Sequence, residues 1–296
     1  MKIQGQTICW VIGANGMLGQ DLLAELKNHE CEIIATDREI DITDKNALEE
    51  FASAQKGIGV IVNCAAYTAV DKAEDDAENA MALNGTAVKN IAEIAAKLDA
   101  KLIHISTDYV FDGTKDAALT EDEPTNPIGE YGRTKLAGEN AIINSAAKKY
   151  FIIRTAWLYG KNGKNFVDTM LNLMNSRPEI GVVADQWGTP TRTTDLADAI
   201  GAIIQSNSKN YGVYHYSGDG KTNWFLFASK IYEIGKKFGL IANDCKINAL
   251  TSEQYPTRAK RPMFSLLSKE KIKEEFLLKI PNWEDALREY LREKCR

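Results

Sequence analysis

Short apolar runs alternate with amphipathic segments through the first half of the chain. The runs predict buried strands at Thr7–Ile12, Cys31–Thr36, Val60–Asn63, Lys101–Ile105 and Tyr150–Arg154. Between them, apolar residues recur at helical spacing, which predicts helices near 17–28, 44–54, 78–98 and 130–147. In the third of these helices, one face carries Met81, Val88, Ile91, Ile94, Ala95 and Leu98. The alternation predicts an α/β fold with a doubly wound, parallel Rossmann-type sheet, because parallel strands need helical crossovers that cover both faces.

After Arg154 the pattern is less regular. It predicts helices near 165–176, 194–205 and 222–238, strand-like segments at Glu179–Asp185 and Gly212–Ser217, and a tail rich in Lys and Glu. We interpret these elements as a smaller mixed α/β lobe whose chain weaves in and out of the first domain. The expected division is a first domain over 1–156, with a returning segment near 190–215, and a second lobe over 157–189 and 216–296.

Length and composition narrow the classes of function. At 296 residues, with 44% apolar and 26% charged residues, the chain fits one large or two unequal globular domains. The net charge of −5 argues against nucleic acid as a partner, because nucleic-acid binders carry an excess of Lys and Arg. No apolar run approaches the roughly 20 residues needed to span a bilayer, so no membrane partner is predicted.

The five cysteines indicate neither a disulfide framework nor a zinc site, because their number is odd and no C-x-x-C pair occurs. Three of them, Cys9, Cys31 and Cys64, lie in or beside predicted strands and are expected to pack as small apolar groups. The N-terminus does not resemble a signal peptide, because TICWVIG runs at once into a glycine turn. We therefore expect a reducing, cytoplasmic location.

The segment GANGMLG follows the first predicted strand and opens a helix. In such a turn one glycine permits the tight bend, one lets the backbone approach a pyrophosphate, and one allows close packing of helix and strand. The helix N-terminus then presents its N–H groups to phosphates. A merely tight turn is the alternative, but the strand–turn–helix context favours a dinucleotide, either NADH or NADPH. The cofactor contacts predicted here are Gly13, Asn15, Gly16, Met17, Leu18 and Gly19.

Further cofactor contacts are predicted after the second and third strands. Asp37 ends the second strand, where a carboxylate can accept hydrogen bonds from the adenosine ribose and favour NAD. Arg38 can instead hold a 2′-phosphate, so NADP stays open. Asp41 and Ile42 can flank the adenine, although Asp41 can equally cap the next helix. Small side chains after the third strand leave room for a cofactor or serve packing alone, and the contacts predicted there are Ala65, Ala66 and Tyr67.

A hydroxyl, a phenol and an ammonium are predicted to meet beside the fourth strand. Thr107 follows the apolar run KLIHIS, while Tyr131 and Lys135 are four residues apart and share one face of a predicted helix. We expect the ammonium to lower the pKa of Tyr131 toward the operating pH of a general acid. Thr107 can stabilise the negative charge that develops on the same carbonyl oxygen. This set predicts reduction of a carbonyl by hydride, and Lys135 can also bind the nicotinamide ribose.

The Y-x-x-x-K spacing alone is a weak signal, because the chain contains it three times. The pairs are Tyr131/Lys135, Tyr232/Lys236 and Tyr290/Lys294. We interpret the last two as ordinary pairs on helix surfaces. The first is favoured because Thr107 lies at the carboxyl end of its strand, which is the edge where open parallel sheets bind ligands.

The chain resembles the extended short-chain dehydrogenases/reductases and, within them, the dTDP-4-dehydrorhamnose reductase family. The resemblance covers almost the whole chain and rests on GANGMLG, NCAAYTAVDKAE, STDYVFDG, YGRTKLAGE, RTAWLYG, GTPT and RPMFSLL. It implies stereospecific reduction of the C4 ketone of dTDP-4-dehydro-L-rhamnose by NADH or NADPH. It also implies that Thr107, Tyr131 and Lys135 are the catalytic residues, that the first domain binds the dinucleotide, and that the second lobe binds a dTDP-sugar.

The same resemblance implies a set of substrate contacts. They are Thr107, Asp108, Tyr109, Trp157, Asn165, Arg258 and Arg261. By analogy, Tyr109 and Trp157 line the sugar pocket, although Trp157 can equally serve interface packing. Asn165 and Arg258 or Arg261 contact the nucleotide part, since a diphosphate favours arginine. The two arginines can alternatively belong to a solvated loop.

Some members of the family use a divalent cation at a dimer interface formed by acidic residues near the C-terminus. Here Glu284 and Asp285 are followed by Arg288 and Arg292, and an amphipathic helix with internal ion pairs explains them equally well. We therefore predict no bound metal and leave a homodimer open.

Two other functions fit the predicted fold. One is a nucleotide-sugar epimerase or dehydratase that retains NAD, and the other is a non-catalytic, cofactor-binding regulatory subunit. A dehydratase often carries an acidic pair beside the threonine, whereas here Asp108 is followed by Tyr109. The complete threonine, tyrosine and lysine set counts against the regulatory subunit. The reductase is therefore the first of the three hypotheses.

Overall fold

The first half of the computed structural model, which describes residues 8–29 and 31–295, alternates strands and helices as predicted. Thr7, the first residue of the first predicted strand, lies outside the described residues. The strands are β1 (Ile8–Ile12), β2 (Glu32–Thr36), β3 (Ile58–Asn63), β4 (Lys101–Thr107) and β5 (Tyr150–Thr155). The helices are α1 (Met17–Leu26), α2 (Lys45–Ala54), α3 (Val70–Ala73), α4 (Ala77–Met81), a π-helical turn (Ala82–Thr86), α5 (Ala87–Lys97), a short 3₁₀ turn (Asp108–Val110) and α6 (Glu130–Ile143).

The second half mixes helices with short strands. Its strands are β6 (Leu158–Tyr159), β7 (Glu179–Val183), β8 (Trp187–Gly188), β9 (Thr191–Arg192), β10 (Gly212–His215), β11 (Thr222–Asn223) and β12 (Lys246–Leu250). Its helices are α7 (Phe166–Ser176), α8 (Thr193–Gln205), α9 (Trp224–Lys237), α10 (Glu270–Phe276) and α11 (Trp283–Glu293). The strand β12 was not predicted. It pairs in parallel with β7 in a separate two-stranded sheet, where neither strand is fully buried and the apolar signal is therefore weak.

One six-stranded sheet organises the molecule, in the order β10-β5-β4-β3-β1-β2 with all strands parallel. The predicted doubly wound α/β fold is confirmed. The strand β1 lies between β2 and β3, so the chain reverses its winding there and opens a crevice at the carboxyl ends of β1 and β3. The strand β10 returns from the second half to pair with β5.

Helices cover both faces of the sheet because side chains alternate along each strand. Cys9 and Val11 of β1 pack on the face covered by α1 and α8, whereas Trp10 and Ile12 pack on the face covered by α2, α5 and α6. A third apolar cluster joins α7, α9 and α11 to β7. Met81 was predicted to share the buried face of α5 but is 40% exposed. The π-helical turn between α4 and α5 explains this error, because its wider repeat rotates Met81 away from that face.

A buried ion pair fastens α6 to the sheet. Arg154 Nη2 of β5 lies 2.7 Å from Glu139 Oε2 of α6, and the two side chains are only 5% and 0% exposed. Ser106 of β4 donates to the same carboxylate. Burial lowers the pKa of His215, beside Arg154, to about 3, so this ring is neutral and adds no charge. The pair therefore connects β4, β5 and the helix that carries Tyr131.

Substituting Arg154→Met should lower the free energy of unfolding by about 3–5 kcal/mol, because Glu139 is left buried without its cation. Urea unfolding followed by tryptophan fluorescence measures this. Lys149→Met is the control, since Lys149 precedes the same strand but forms an exposed pair with Asp99. Equal losses of stability in the two variants would contradict the role given to the buried pair.

Candidate active site

The glycine turn brings the ends of β1 and β3 into close contact. Gly13 has φ +78°, and a Cβ on it would lie 2.6 Å from the backbone nitrogen of Ala65. A Cβ on Gly19 would overlap the carbonyl oxygen of Gly13. Gly16 caps α1 without a side-chain hydrogen bond, so the first N–H groups of that helix are available to an anion at the crevice. The turn therefore fits the pyrophosphate of a dinucleotide.

The residues predicted to bind the adenosine end differ in their contacts: Asp37 and Asp41 accept hydrogen bonds from the protein, whereas Arg38 is exposed. Asp37 Oδ2 accepts a hydrogen bond from the Asn15 backbone at 3.0 Å, and Arg38 beside it is exposed. Asp41 accepts from Thr43, while the cap of α2 is Asp44, so the alternative role of Asp41 as that cap is wrong.

Other predicted cofactor contacts differ in exposure. Leu18 and Ile42 lie in the apolar core on opposite faces of the sheet. Met17, Ala65 and Ala66 are partly buried. The Met17 side chain lies between the glycine turn and the segment after β6, since a Cβ on Gly160 would be 3.2 Å from Met17 Cγ.

Tyr67 is held by the helix that follows it. Its hydroxyl donates to Asp76 Oδ2 at 3.0 Å, and its backbone N–H donates to Asn84 Oδ1 at 2.8 Å. Asn84 lies in the π-helical turn and also donates to Thr134 Oγ1 of α6. This polar residue was not recognised in the sequence, and it joins the loop after β3 to the helix that carries Tyr131.

The predicted catalytic hydroxyl and phenol lie together at the carboxyl end of β4. Thr107 Oγ1 donates to Asp108 Oδ1 at 3.0 Å and accepts from the Tyr109 backbone at 3.2 Å. A hydrogen bond with Thr107 and the charge of Asp108 both act on Tyr131. The ring of Tyr109 meets that of Tyr131 edge to face, with 5.5 Å between centroids. The structure thus brings four predicted site residues to one point.

Lys135 lies one turn along α6 from Tyr131 and is buried. Its Nζ donates to the carbonyl oxygen of Ile105 at 2.6 Å and lies 3.4 Å from His104 Nε2. Burial lowers the pKa of Lys135 to about 8, and the nearby charge of Glu139 only partly opposes this.

The predicted lowering of the Tyr131 pKa by Lys135 is wrong. Burial raises the pKa of Tyr131 to about 12; a hydrogen bond with Thr107 lowers it and the charge of Asp108 raises it further. Desolvation of the phenolate is the largest cause of this shift, while the Lys135 Nζ is turned toward the Ile105 carbonyl. Tyr131 is therefore a neutral phenol near neutral pH and can donate a proton.

A second acidic side chain, Asp108, is buried close to Tyr131. Asp108 is 2% exposed, and burial raises its pKa to about 6 against hydrogen bonds from Ser265 and Thr107. Burial also raises the pKa of Tyr109, and the nearby charge of Arg261 opposes that effect. Arg261 itself donates to Asp71 Oδ2 at 2.8 Å. Arg261 thus lies near the predicted sugar pocket.

Trp157 has an unusual backbone conformation for a large side chain, with φ +50°. Its ring stacks on Trp224 at 3.7 Å between centroids, and a Cβ on Gly188 would lie 2.9 Å from the ring. Surrounding contacts therefore hold Trp157 in a strained position, which occurs frequently at ligand sites. The packing role considered for Trp157 is real, but the ring also stays partly exposed.

Asn165 and Arg258 are engaged by the protein itself. Asn165 caps α7, accepting from Asp168 N at 3.0 Å and donating to Gly160 O at 2.9 Å. Arg258 is exposed and pairs with Asp75. We therefore give Asn165 a structural role and place Arg258 at the rim of the predicted site.

One of the other two Y-x-x-x-K pairs is not an ordinary surface pair. Tyr290 is 2% exposed and donates to Asp168 Oδ1 at 3.0 Å, and Lys294 Nζ lies 2.9 Å from the same oxygen. The helical spacing did not show this, because the partner comes from α7. Tyr232 and Lys236 do lie at the surface, where both contact Asp244.

Residues 8–29 and 31–295 contain neither a candidate metal site nor a candidate membrane-spanning helix. No group of three or more His, Cys, Asp or Glu there is arranged to hold a metal ion. Within the same residues, no helix is both long and apolar enough to cross a membrane.

Comparison with known proteins identifies the family. Residues 8–295 match the family described as "RmlD substrate binding domain". A dTDP-4-dehydrorhamnose reductase of Aggregatibacter actinomycetemcomitans is 38% identical over 94% of this chain and 96% of that protein. The crystal structure of such a reductase from Clostridium acetobutylicum aligns with a TM-score of 0.91 at 39% identity, over 98% of this chain and 100% of that one. The structure of another from Bacillus anthracis, in complex with NADP, aligns with a TM-score of 0.91 at 36% identity, over 97% of this chain and 99% of that one. The chain therefore belongs to the dTDP-4-dehydrorhamnose reductase family.

Proposed function

We propose that the protein reduces the C4 ketone of dTDP-4-dehydro-L-rhamnose to dTDP-L-rhamnose with NADPH or NADH. The observation that carries this proposal is the arrangement at the carboxyl end of β4, where Tyr109 links the Thr107 hydroxyl to the ring of Tyr131, on the same sheet edge as the glycine turn. The phenol is neutral near neutral pH and is therefore suited to donate a proton to an oxygen. The names of the relatives support the choice of sugar.

The residues have distinct roles in this reaction. When bound, the reduced nicotinamide supplies hydride to C4 of the sugar. Tyr131 donates its proton to the C4 oxygen. Thr107 turns its hydroxyl proton from Asp108 to the same oxygen and so stabilises the charge that develops there. Lys135, whose Nζ is turned toward Ile105, supplies the replacement proton to Tyr131 through an intervening hydroxyl group or water, since its own pKa is lowered to about 8. Trp157 and Tyr109 are placed to hold the sugar ring.

The assay of this function uses purified protein, NADPH or NADH, and enzymatically generated dTDP-4-dehydro-L-rhamnose. We expect oxidation of the coenzyme that depends on the sugar and matches it mole for mole. Coenzyme binding without oxidation would contradict the proposal and direct attention to an epimerase or a regulatory subunit.

Tyr131→Phe should lower kcat by about 10²–10⁴-fold, because the general acid is lost, while the Kd of the coenzyme stays unchanged. Steady-state kinetics and coenzyme titration measure the two quantities. Tyr232→Phe is the matched control, since Tyr232 has the same spacing to a lysine but is a partly buried residue of α9 whose hydroxyl contacts Asp244. Full turnover by the Tyr131 variant would remove this residue from the mechanism.

Arg38→Ala tests the choice of coenzyme. Arg38 is exposed beside Asp37, whose carboxylate accepts from the Asn15 backbone and borders the adenosine end of the site. If Arg38 binds the 2′-phosphate, kcat/KM for NADPH should fall by about tenfold or more, because a charged hydrogen bond is lost. The NADH value in the same variant is the internal control. An equal fall for both coenzymes would contradict the contact.

A further inference from the structure

A buried row of polar side chains leads from the cofactor crevice to the catalytic lysine. The backbone N–H of Ala65 donates to Asn63 Oδ1 at 3.1 Å, and Asn63 Nδ2 lies 3.1 Å from His104 Nδ1. On the other side of the ring, His104 Nε2 lies 3.4 Å from Lys135 Nζ. The exposed fractions of the three side chains are 1%, 0% and 1%. Neither Asn63 nor His104 belongs to the catalytic set already described.

The contacts determine which ring nitrogen of His104 carries the proton. Because Asn63 Oδ1 accepts from Ala65, the amide turns its NH₂ group toward the ring. An NH₂ group only donates, so Nδ1 must accept, and a neutral ring then carries its proton on Nε2. Burial, with the charge of Lys135, lowers the pKa of His104 well below its usual value, so the ring is neutral.

The Nε2–H group consequently faces the lysine nitrogen. An ammonium has three donors and no lone pair, so it cannot accept a hydrogen bond from the Nε2–H group, and the two groups repel each other. A neutral amine has a lone pair and can accept that hydrogen bond. The Ile105 carbonyl accepts from Nζ at 2.6 Å in either protonation state. We propose that Asn63 fixes His104 in the Nε2–H tautomer and that His104 is thereby a positioning residue that favours the amine form of Lys135.

This proposal rests on the proposed function and adds a step to it. After Tyr131 gives its proton to the substrate oxygen, an N–H bond of Lys135 breaks, the proton passes through the intervening hydroxyl group or water, and the O–H bond of Tyr131 forms again. The lone pair left on Nζ is then satisfied by His104 Nε2–H. A proton taken up from solvent then restores the ammonium, so that each turnover consumes one proton. His104 itself neither gains nor loses a proton.

The other groups that face Lys135 do not reproduce this effect. Glu139 on α6 favours the ammonium, and it is paired with Arg154. Burial raises the pKa of the Cys64 thiol, which follows β3, to about 12, so this thiol is uncharged near neutral pH. His104 is thus the polar neighbour on β4 that opposes the ammonium.

The tautomer is measured directly by nitrogen NMR on protein carrying ¹⁵N in its three histidines. The His104→Gln variant identifies the signals of His104 by their loss. We expect the nitrogen signals of His104 to show a neutral ring protonated on Nε2 and to stay unchanged between about pH 6 and pH 9. A ring protonated on Nδ1, or on both nitrogens, would overturn the proposal. Because no substrate is needed, this result stands apart from the test of the proposed function.

Asn63→Asp should reverse the tautomer. A carboxylate still accepts from Ala65 but also accepts from Nδ1–H, so the Nε2 lone pair then faces Lys135 and favours its ammonium. The high-pH limb of the kcat/KM profile, which falls as Lys135 loses its proton, should move up by about one pH unit or more. The NMR signals should change to the Nδ1–H pattern. An unchanged profile together with the reversed tautomer would overturn the proposal.

The same substitution made together with His104→Phe is the matched control. A new carboxylate can act on Lys135 through space, and that effect would persist without the imidazole. The proposal requires most of the shift to disappear in the double variant. A shift of equal size with and without His104 would contradict the proposal. If these variants do not fold, the tautomer of His104 in the wild-type protein still tests the proposal.

Discussion

The close approach of α6 to its neighbours is the constraint on which the active site depends. A Cβ on Gly132 would overlap the carbonyl oxygen of Tyr109, and one on Gly138 would overlap that of Asn84. The helix therefore lies nearer to these backbones than any side chain larger than hydrogen would allow. This distance lets Lys135 reach the backbone of β4 and brings the phenol of α6 to the end of that strand.

Burial, rather than the pairing of charges, sets the proton chemistry of the site. It raises the pKa of Tyr131 to about 12 and lowers that of Lys135 to about 8. Tyr131 is therefore a neutral phenol near neutral pH and holds the proton that the reduced ketone oxygen must receive. The same burial keeps His104 neutral, so that its effect on the lysine depends on its tautomer.

The sequence predicts the parallel sheet and the glycine turn well because both have local signals: apolar strands, and glycines between strand and helix. It predicts less about side chains that serve two roles. Asn165 before a helix can bind a ligand or cap the helix, and only the contacts with Gly160 and Asp168 decide. The prediction of a lowered pKa for Tyr131 was wrong. The spacing to Lys135 shows which residues are neighbours, but not how deeply the helix is buried. Tertiary burial has no local signature in one chain.

The most direct test of the central claim is transfer of deuterium from NADPH that carries deuterium at both C4 positions of the nicotinamide. If the site reduces the ketone as described, each product molecule carries one deuterium, bonded to C4 of the sugar, as mass spectrometry and proton NMR of the isolated nucleotide sugar will show. An unlabelled sugar, or a sugar that takes up solvent deuterium at carbon while the coenzyme keeps its label, would contradict the account.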